Sequence, residues 1–404
     1  RLVNREHYLE NNVAKQFAPA TLLDPRFAYP IVDPDDPHKV GMTVKKQFVP
    51  TKTKLYRNLV PLGDKKYEPG ILCDTDKRNL NTNILHKEAE KYLIKRPEYS
   101  AKTKDRLIKV ANQMADYYAD TLARKGVKLT TLTRMEAINK LRGCSKSEPI
   151  NIKTSPGFPY TDIAKQNGKH DFFKVDDKGI LRFNKDKPMH WNLLKGKMDA
   201  YLEEAHGRGQ ASCIFKLFLK DEPVKLARVY DAARTRTIAA APLDFQVVFR
   251  QYLHSGMAHV AENWVDLPPK IGINPMSLDW HTMFQKLASK SLTALATDFS
   301  NWDYNIHPFL IWLCSIFWNR LYKRLDPNWT QFHDEVRNVL YSKLILFLLL
   351  KGCTIFRTTG GMASGCPGTS IDNSLINDFI DAAIYIELME EVNPKLANVF
   401  SWFE

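Results

Sequence analysis

Thr359-Gly-Gly-Met-Ala-Ser-Gly-Cys-Pro-Gly-Thr-Ser-Ile-Asp-Asn-Ser-Leu-Ile-Asn377 is the stretch on which the fold turns. Its first half carries four glycines within nine residues, Gly360, Gly361, Gly365 and Gly368, a density that permits positive φ and close backbone approach. The second half predicts a helix. Ile371, Leu375 and Phe379, with Ile376, Ile380 and Ala383, form an apolar stripe, while Asn373 and Asn377 stand one turn apart on a polar one. A glycine loop that caps a helix accounts for the glycines and for Thr369. It leaves the polar stripe unexplained, and a site facing that stripe would explain it.

Upstream lies Ala296-Thr-Asp-Phe-Ser-Asn-Trp-Asp303. The apolar run Leu292 to Thr297 predicts a buried strand that ends in two carboxylates, Asp298 and Asp303. A carboxylate there needs a partner, and hard Mg²⁺ takes one or two protein carboxylates while keeping positions for phosphate oxygens and water. The spacing alone is weak, because a cap followed by a turn carboxylate looks the same. Between Lys216 and Ile238, Lys216, Lys220, Lys225, Arg228, Arg234 and Arg236 are interleaved with apolar residues and only three acids. This predicts a strand pair with one cationic face, whose ligand would be a triphosphate or an RNA backbone; the plainer alternative is a solvated strand. Thr154-Ser-Pro-Gly-Phe-Pro-Tyr160 reads as a rigid turn.

The rest of the chain sets bounds. Its 404 residues, 44% apolar and 25% charged, are enough for a large core and two or three subdomains. Fifty-eight Lys and Arg against 45 Asp and Glu give a net charge of +13, which suits a polyanionic partner, nucleic acid or an acidic membrane surface, or simply a soluble basic protein. Six cysteines without a C-x-x-C pair suggest reduced, cytosolic thiols, and His259 with Glu262 lacks the second histidine of a zinc helix. The apolar runs Phe309 to Trp318 and Leu344 to Leu350 fall short of the ~20 residues of a membrane span. The first residue is Arg with no signal-peptide pattern behind it, as expected of a piece processed from something longer. Residues 19 to 70, with eight basic residues and one acid between Lys39 and Lys66, read as an extended basic arm or as a solvated loop. Two helices are predicted between Asn81 and Lys125 with a break around Arg96 and Pro97, a hairpin over 168 to 190 turning at Asp177, Lys178 and Gly179, and a helix from Leu243 to Val260. The class is mixed α and β.

Taken in their order along the chain, the four quoted stretches closely resemble the motifs of picornavirus-like viral RNA-dependent RNA polymerases. Thr154 to Tyr160 resembles motif G, Lys220 to Ile238 motif F, Asp298 to Asp303 motif A, and Gly360 to Ser374 motif B; the wording of motif F is closer to the insect groups, iflaviruses or dicistroviruses. The resemblance implies an α+β right hand whose palm is an antiparallel sheet backed by helices. Fingers would cover 1–242 and 263–290, a palm helix 243–262, and the remaining palm 291–404. It implies Asp298 and Asp303 as catalytic carboxylates, with Asp298 and Phe299 at the metal, Mg²⁺ or Mn²⁺. Lys220, Arg228, Arg234, Arg236, Asp303, Ser364, Thr369 and Asn373 would hold the nucleotide, the ribose hydroxyl being read by Asp303 and Asn373. Thr154, Ser155, Gly157 and Phe158, with Gly360, Gly361, Ser364 and Gly365, would meet template RNA. The implied activity is template-directed nucleotidyl transfer from NTPs to an RNA 3′-hydroxyl. It would be primed by RNA or a protein primer, with other viral replication proteins, in the host cytoplasm at membrane-associated replication complexes. The family's motif C, a Gly-Asp-Asp, is missing. The only Gly-Asp is Gly63-Asp64, far upstream, and Asp35-Asp36 and Asp176-Asp177 lack apolar strand flanks. The expectation is a chain truncated before motif C and the thumb. A catalytically incomplete RNA-binding fragment is therefore the alternative.

Overall fold

The computed structural model describes residues 66–403 except 74–75, 80–83, 167, 232–233, 294–295 and 352–353, together with the backbone of 22–23, 32–33 and 36–40. Most of the expected arm over 19–70 falls outside these residues.

A five-stranded sheet forms from Leu22–Leu23, Thr354–Arg357, Leu348–Lys351, Ile214–Leu219 and Thr237–Ala240, in that spatial order. Three of its pairings are antiparallel, and Leu348–Lys351 runs parallel to Ile214–Leu219. The middle strands are rich in Leu and in β-favouring Ile and Phe, and Phe215, Leu217, Leu349, Leu350 and Ile355 are buried in the core. The run Leu344 to Leu350 is split: the helix Gln331–Ile345 ends inside it and the strand Leu348–Lys351 begins. The strand pair expected from Lys216 to Ile238 is present, with Lys216 opposite Ala240 and Leu219 opposite Thr237. The short strand Pro223–Lys225 and the helix Leu226–Tyr230 lie between them.

Around the sheet the helices follow the apolar periodicity. Ala101–Arg124 starts where the Ser100 hydroxyl accepts from the Thr103 amide at 3.1 Å, and it buries Leu107, Val110, Met114, Tyr118 and Leu122 against Pro308–Leu325. The break before it spans residues 94–100, as the Arg96-Pro97 pair predicts. The helix Leu243–Glu262 runs through the centre of the molecule. The expected hairpin forms from Phe173–Val175 and Leu181–Phe183, with Val175 opposite Leu181. The five described cysteines are buried, and no disulfide joins them. No described helix is long and apolar enough to cross a membrane.

One expectation fails. The run from Leu292 to Thr297 is not a buried strand: its described residues are irregular and exposed, Leu292 by 89%. Apolar residues alone do not make a strand, because each backbone N–H and C=O must find a neighbour, and no described strand lies alongside. The preceding helix Asp279–Ala288 buries none of its residues and leaves Trp280, Phe284 and Leu287 exposed.

Candidate nucleotide-binding site

After Asp298 the chain turns at Asn301, whose φ of 54° is left-handed, a conformation Asn tolerates better than most residues. The one-turn helix Trp302–Asn305 follows. Asn301 is held in place by Arg234, which donates to its side-chain oxygen at 2.9 Å. This turn sets Asp298 at an exposed rim, where no described residue bonds its carboxylate. Asp303 sits deeper. Burial pushes its carboxyl above the usual carboxylate range, against a hydrogen bond from Asn373 and the charges of Arg236 and Lys220.

The glycine loop is sewn to that turn by its backbone. Gly361 N–H donates to Ile306 O at 2.9 Å and Met362 N–H to Asp303 O at 2.6 Å. Gly361 has φ of +91°, and a Cβ there would lie 2.8 Å from the Asp303 carbonyl and 2.9 Å from the Tyr92 ring; only glycine permits the approach. At its other end Gly365 N–H donates to Ala239 O at 3.0 Å, and a Cβ would meet that oxygen at 2.4 Å. Between them the Ser364 hydroxyl accepts from Ala239 N–H at 3.3 Å and bonds the Tyr92 phenol. The helix Thr369–Val392 then carries Asn373 to Asp303, and the Asn373 carbonyl oxygen is buried without a partner.

The opposite wall is cationic. Lys220, Arg228, Arg234 and Arg236 line, with Asp298, Phe299, Asp303 and Ser364, a cleft of about 510 Å³. Glu222 holds Arg236 at 2.7 Å and Lys220 at 3.3 Å, which keeps both heads together. A triphosphate matches this wall in charge and in the forked geometry of its donors.

The structure thus gathers most of the predicted residues, but not all. Lys216 leaves the cationic face to pair with Asp162 at 3.0 Å. Lys225 stands opposite Tyr67 in a separate ladder. The Thr369 hydroxyl donates to Cys366 O at 2.8 Å and Ala363 O at 3.1 Å, so it closes the loop and does not line the cleft. Thr154, Ser155, Gly157 and Phe158 occupy another corner, where Gly157 abuts Ala241 and Pro242. There the buried Lys169 ammonium donates to the Thr154 hydroxyl at 2.5 Å. Sequence reasoning missed Glu88, a buried carboxylate in the cleft wall that accepts from the Tyr304 hydroxyl at 2.8 Å. No linear signal links residues 216 positions apart.

Among the described residues no group of three or more His, Cys, Asp or Glu side chains is placed to hold a metal. Asp298 fits one carboxylate of a metal that takes its other ligands from phosphate and water.

The chain is 25% identical over 375 residues to the replicase polyprotein of Drosophila C virus, covering 90% of this chain and 20% of that protein. It is 26% identical over 328 residues to the RNA1 polyprotein of cowpea mosaic virus, covering 80% and 17%. The chain therefore spans a fifth or less of these relatives. The solved sicinivirus 3Dpol RNA-dependent RNA polymerase superposes with a TM-score of 0.59 at 20% identity, over 81% of this chain and 61% of that one, which establishes the right-hand fold. The pattern of the viral RNA-dependent RNA polymerase family matches residues 63–402, and the chain belongs to that family.

Proposed function

We propose that these residues form the nucleotide-binding half of the active site of a viral RNA-dependent RNA polymerase, with residues 1–242 and 263–290 as fingers and 243–262 and 291–404 as palm. The observation that carries the proposal is the cleft itself, in which Asp303, hydrogen-bonded by Asn373, faces Lys220, Arg228, Arg234 and Arg236. The substrates are NTPs and an RNA template, and the product is an RNA extended at its 3′-hydroxyl, from an RNA or protein primer.

Arg236 and Lys220 bind the triphosphate and neutralise charge that grows on the departing pyrophosphate. The ribose 2′-hydroxyl donates to the unpartnered Asn373 carbonyl. A deoxynucleotide leaves that buried acceptor unpaired at a cost of about 1–3 kcal/mol, or roughly tenfold to a hundredfold in selectivity. A divalent metal, Mg²⁺ or Mn²⁺, would be held in part by Asp298 beside Phe299, and when bound supplies activation of the 3′-hydroxyl. Template RNA passes along the loop at Ser364 and Gly365 and reaches the corner at Thr154, Ser155, Gly157 and Phe158, while Gly360 and Gly361, buried against Arg96 and Tyr92, support that loop and do not meet RNA. Other viral replication proteins and a membrane-associated complex in the host cytoplasm complete the proposed setting.

The test is primer extension by the polymerase that contains these residues, with Asp298→Asn alongside. Incorporation should fall more than tenfold while RNA binding stays near wild type; equal incorporation would remove Asp298 from the metal site.

A further inference from the structure

Directly behind Asn373 the helix Thr369–Val392 carries an acid on its inner face. Asp372 is 1% exposed. Its carboxylate accepts from the Trp318 indole N–H at 3.0 Å and from the Tyr341 hydroxyl at 2.9 and 3.1 Å. The two donors come from two other helices, Pro308–Leu325 and Gln331–Ile345. The remaining titratable neighbours are the buried thiols of Cys314 and Cys366, and no described lysine, arginine or histidine pairs with the carboxylate.

We infer that Asp372 is a positioning residue for nucleotide selection: it fixes the rotation of its helix and so the placement of Asn373 against Asp303. The inference rests on the reading of Asn373 as the ribose sensor. Its neighbours on the apolar stripe, Ile371, Leu375 and Phe379, are buried by contacts without direction. Hydrogen bonds from a buried indole and a buried phenol are directional. Adjacent helical residues are about 100° apart, so one rotation moves Asp372 and Asn373 together. For a side-chain atom ~6 Å from the axis, a turn of ~10° is a shift of ~1 Å, enough to break a hydrogen bond. An apolar side chain would fill this site at less cost, since burial pushes the carboxyl up to about 7. Orientation is what an acid adds there.

The test uses the polymerase that contains these residues. The ratio of kcat/KM for an NTP over its dNTP, and the melting temperature, are measured for wild type, Tyr341→Phe, Asp372→Asn, Asp372→Leu and Asn373→Ala. Tyr341→Phe and Asp372→Leu should lower the ratio by roughly three- to tenfold, beyond any fall in ribonucleotide turnover. Asp372→Asn, which keeps an acceptor for Trp318, should hold most of it. A lowered melting temperature with an unchanged ratio in Tyr341→Phe, while Asn373→Ala shifts the ratio, overturns this inference alone. An unchanged ratio in Asn373→Ala overturns the ribose reading and this inference with it. Should Asp372→Leu fail to fold, Tyr341→Phe and Asp372→Asn decide.

Discussion

Replacing Gly361 by Ala should cost stability and selectivity together, because the added methyl group lands on the backbone that positions Asp303. At φ of +91° a non-glycine residue costs about 1–2 kcal/mol. The new Cβ would lie 2.8 Å from the Asp303 carbonyl, about half an ångström inside the ~3.3 Å of the closest ordinary C···O contacts. The Tyr92 ring also stands 2.9 Å from it and is itself packed edge-on against Tyr304 and Phe347, which leaves the methyl group little room. The Asp303 carbonyl must therefore yield, stretching its 2.6 Å bond from Met362 N–H, a further loss of about 1 kcal/mol. The sum, on the order of 2–3 kcal/mol, should lower the melting temperature by a few degrees and shrink the ribo- over deoxynucleotide ratio. Gly179→Ala is the control: its φ is +75° but nothing lies within 4 Å of the added Cβ. It should show the backbone cost and no change in selectivity. Thermal unfolding and single-nucleotide incorporation read the two effects. A Gly361→Ala protein that melts and selects like Gly179→Ala would refute the argument.

Three further outcomes are expected. Arg236→Ala should raise the nucleotide KM and lower kcat, as a contact that strengthens with leaving-group charge requires, whereas Lys216→Ala, removing a cation already paired with Asp162, should do neither in steady-state incorporation. Filter-binding measurements should find RNA affinity falling steeply with salt, with a slope that flattens by ~0.7 for each cation neutralised that touches a single-strand phosphate. Asp372 titrates at about 7 in the fold against an ordinary 3.8, so the native state binds the extra proton between those values and wild-type stability falls as pH rises through that window. Asp372→Asn lacks this titration. Its denaturant-unfolding free energy should gain on wild type from pH 4 to 7, and a constant difference would remove the buried acid from the account.

Most of the site could be read from the sequence because local chemistry encodes it. Glycine spacing announces a loop open to close approach, though that the partners are the protein's own Asp303 and Ala239 carbonyls is visible only in the fold, and the helical period after Gly368 places Asn373 and Ile371 on different faces. What could not be read is where separate segments meet. Lys216 and Lys220 look equivalent in the chain, and only the fold gives Lys216 to Asp162. Thr369 and Ser364 are both loop hydroxyls, yet the first is consumed by the loop's own carbonyls. Glu88 and Tyr92 enter the site from the far end of the described chain without any motif of their own. The failed strand at 292–297 shows the same limit, since an apolar run states a preference and the neighbour that would satisfy its backbone is a property of the fold. Asp372 carries the same lesson in reverse, an acid inside an apolar stripe whose partners Trp318 and Tyr341 are visible only in three dimensions.

The central claim is that this cleft selects a ribonucleotide by base pairing to RNA and by its 2′-hydroxyl. Its most direct test is single-nucleotide incorporation on a defined RNA primer–template, offering each of the four NTPs and four dNTPs in turn to the polymerase that contains these residues. The account predicts incorporation of the one NTP complementary to the template base, with its dNTP disfavoured by roughly tenfold or more. Addition irrespective of the template base, or equal use of NTP and dNTP, would contradict it.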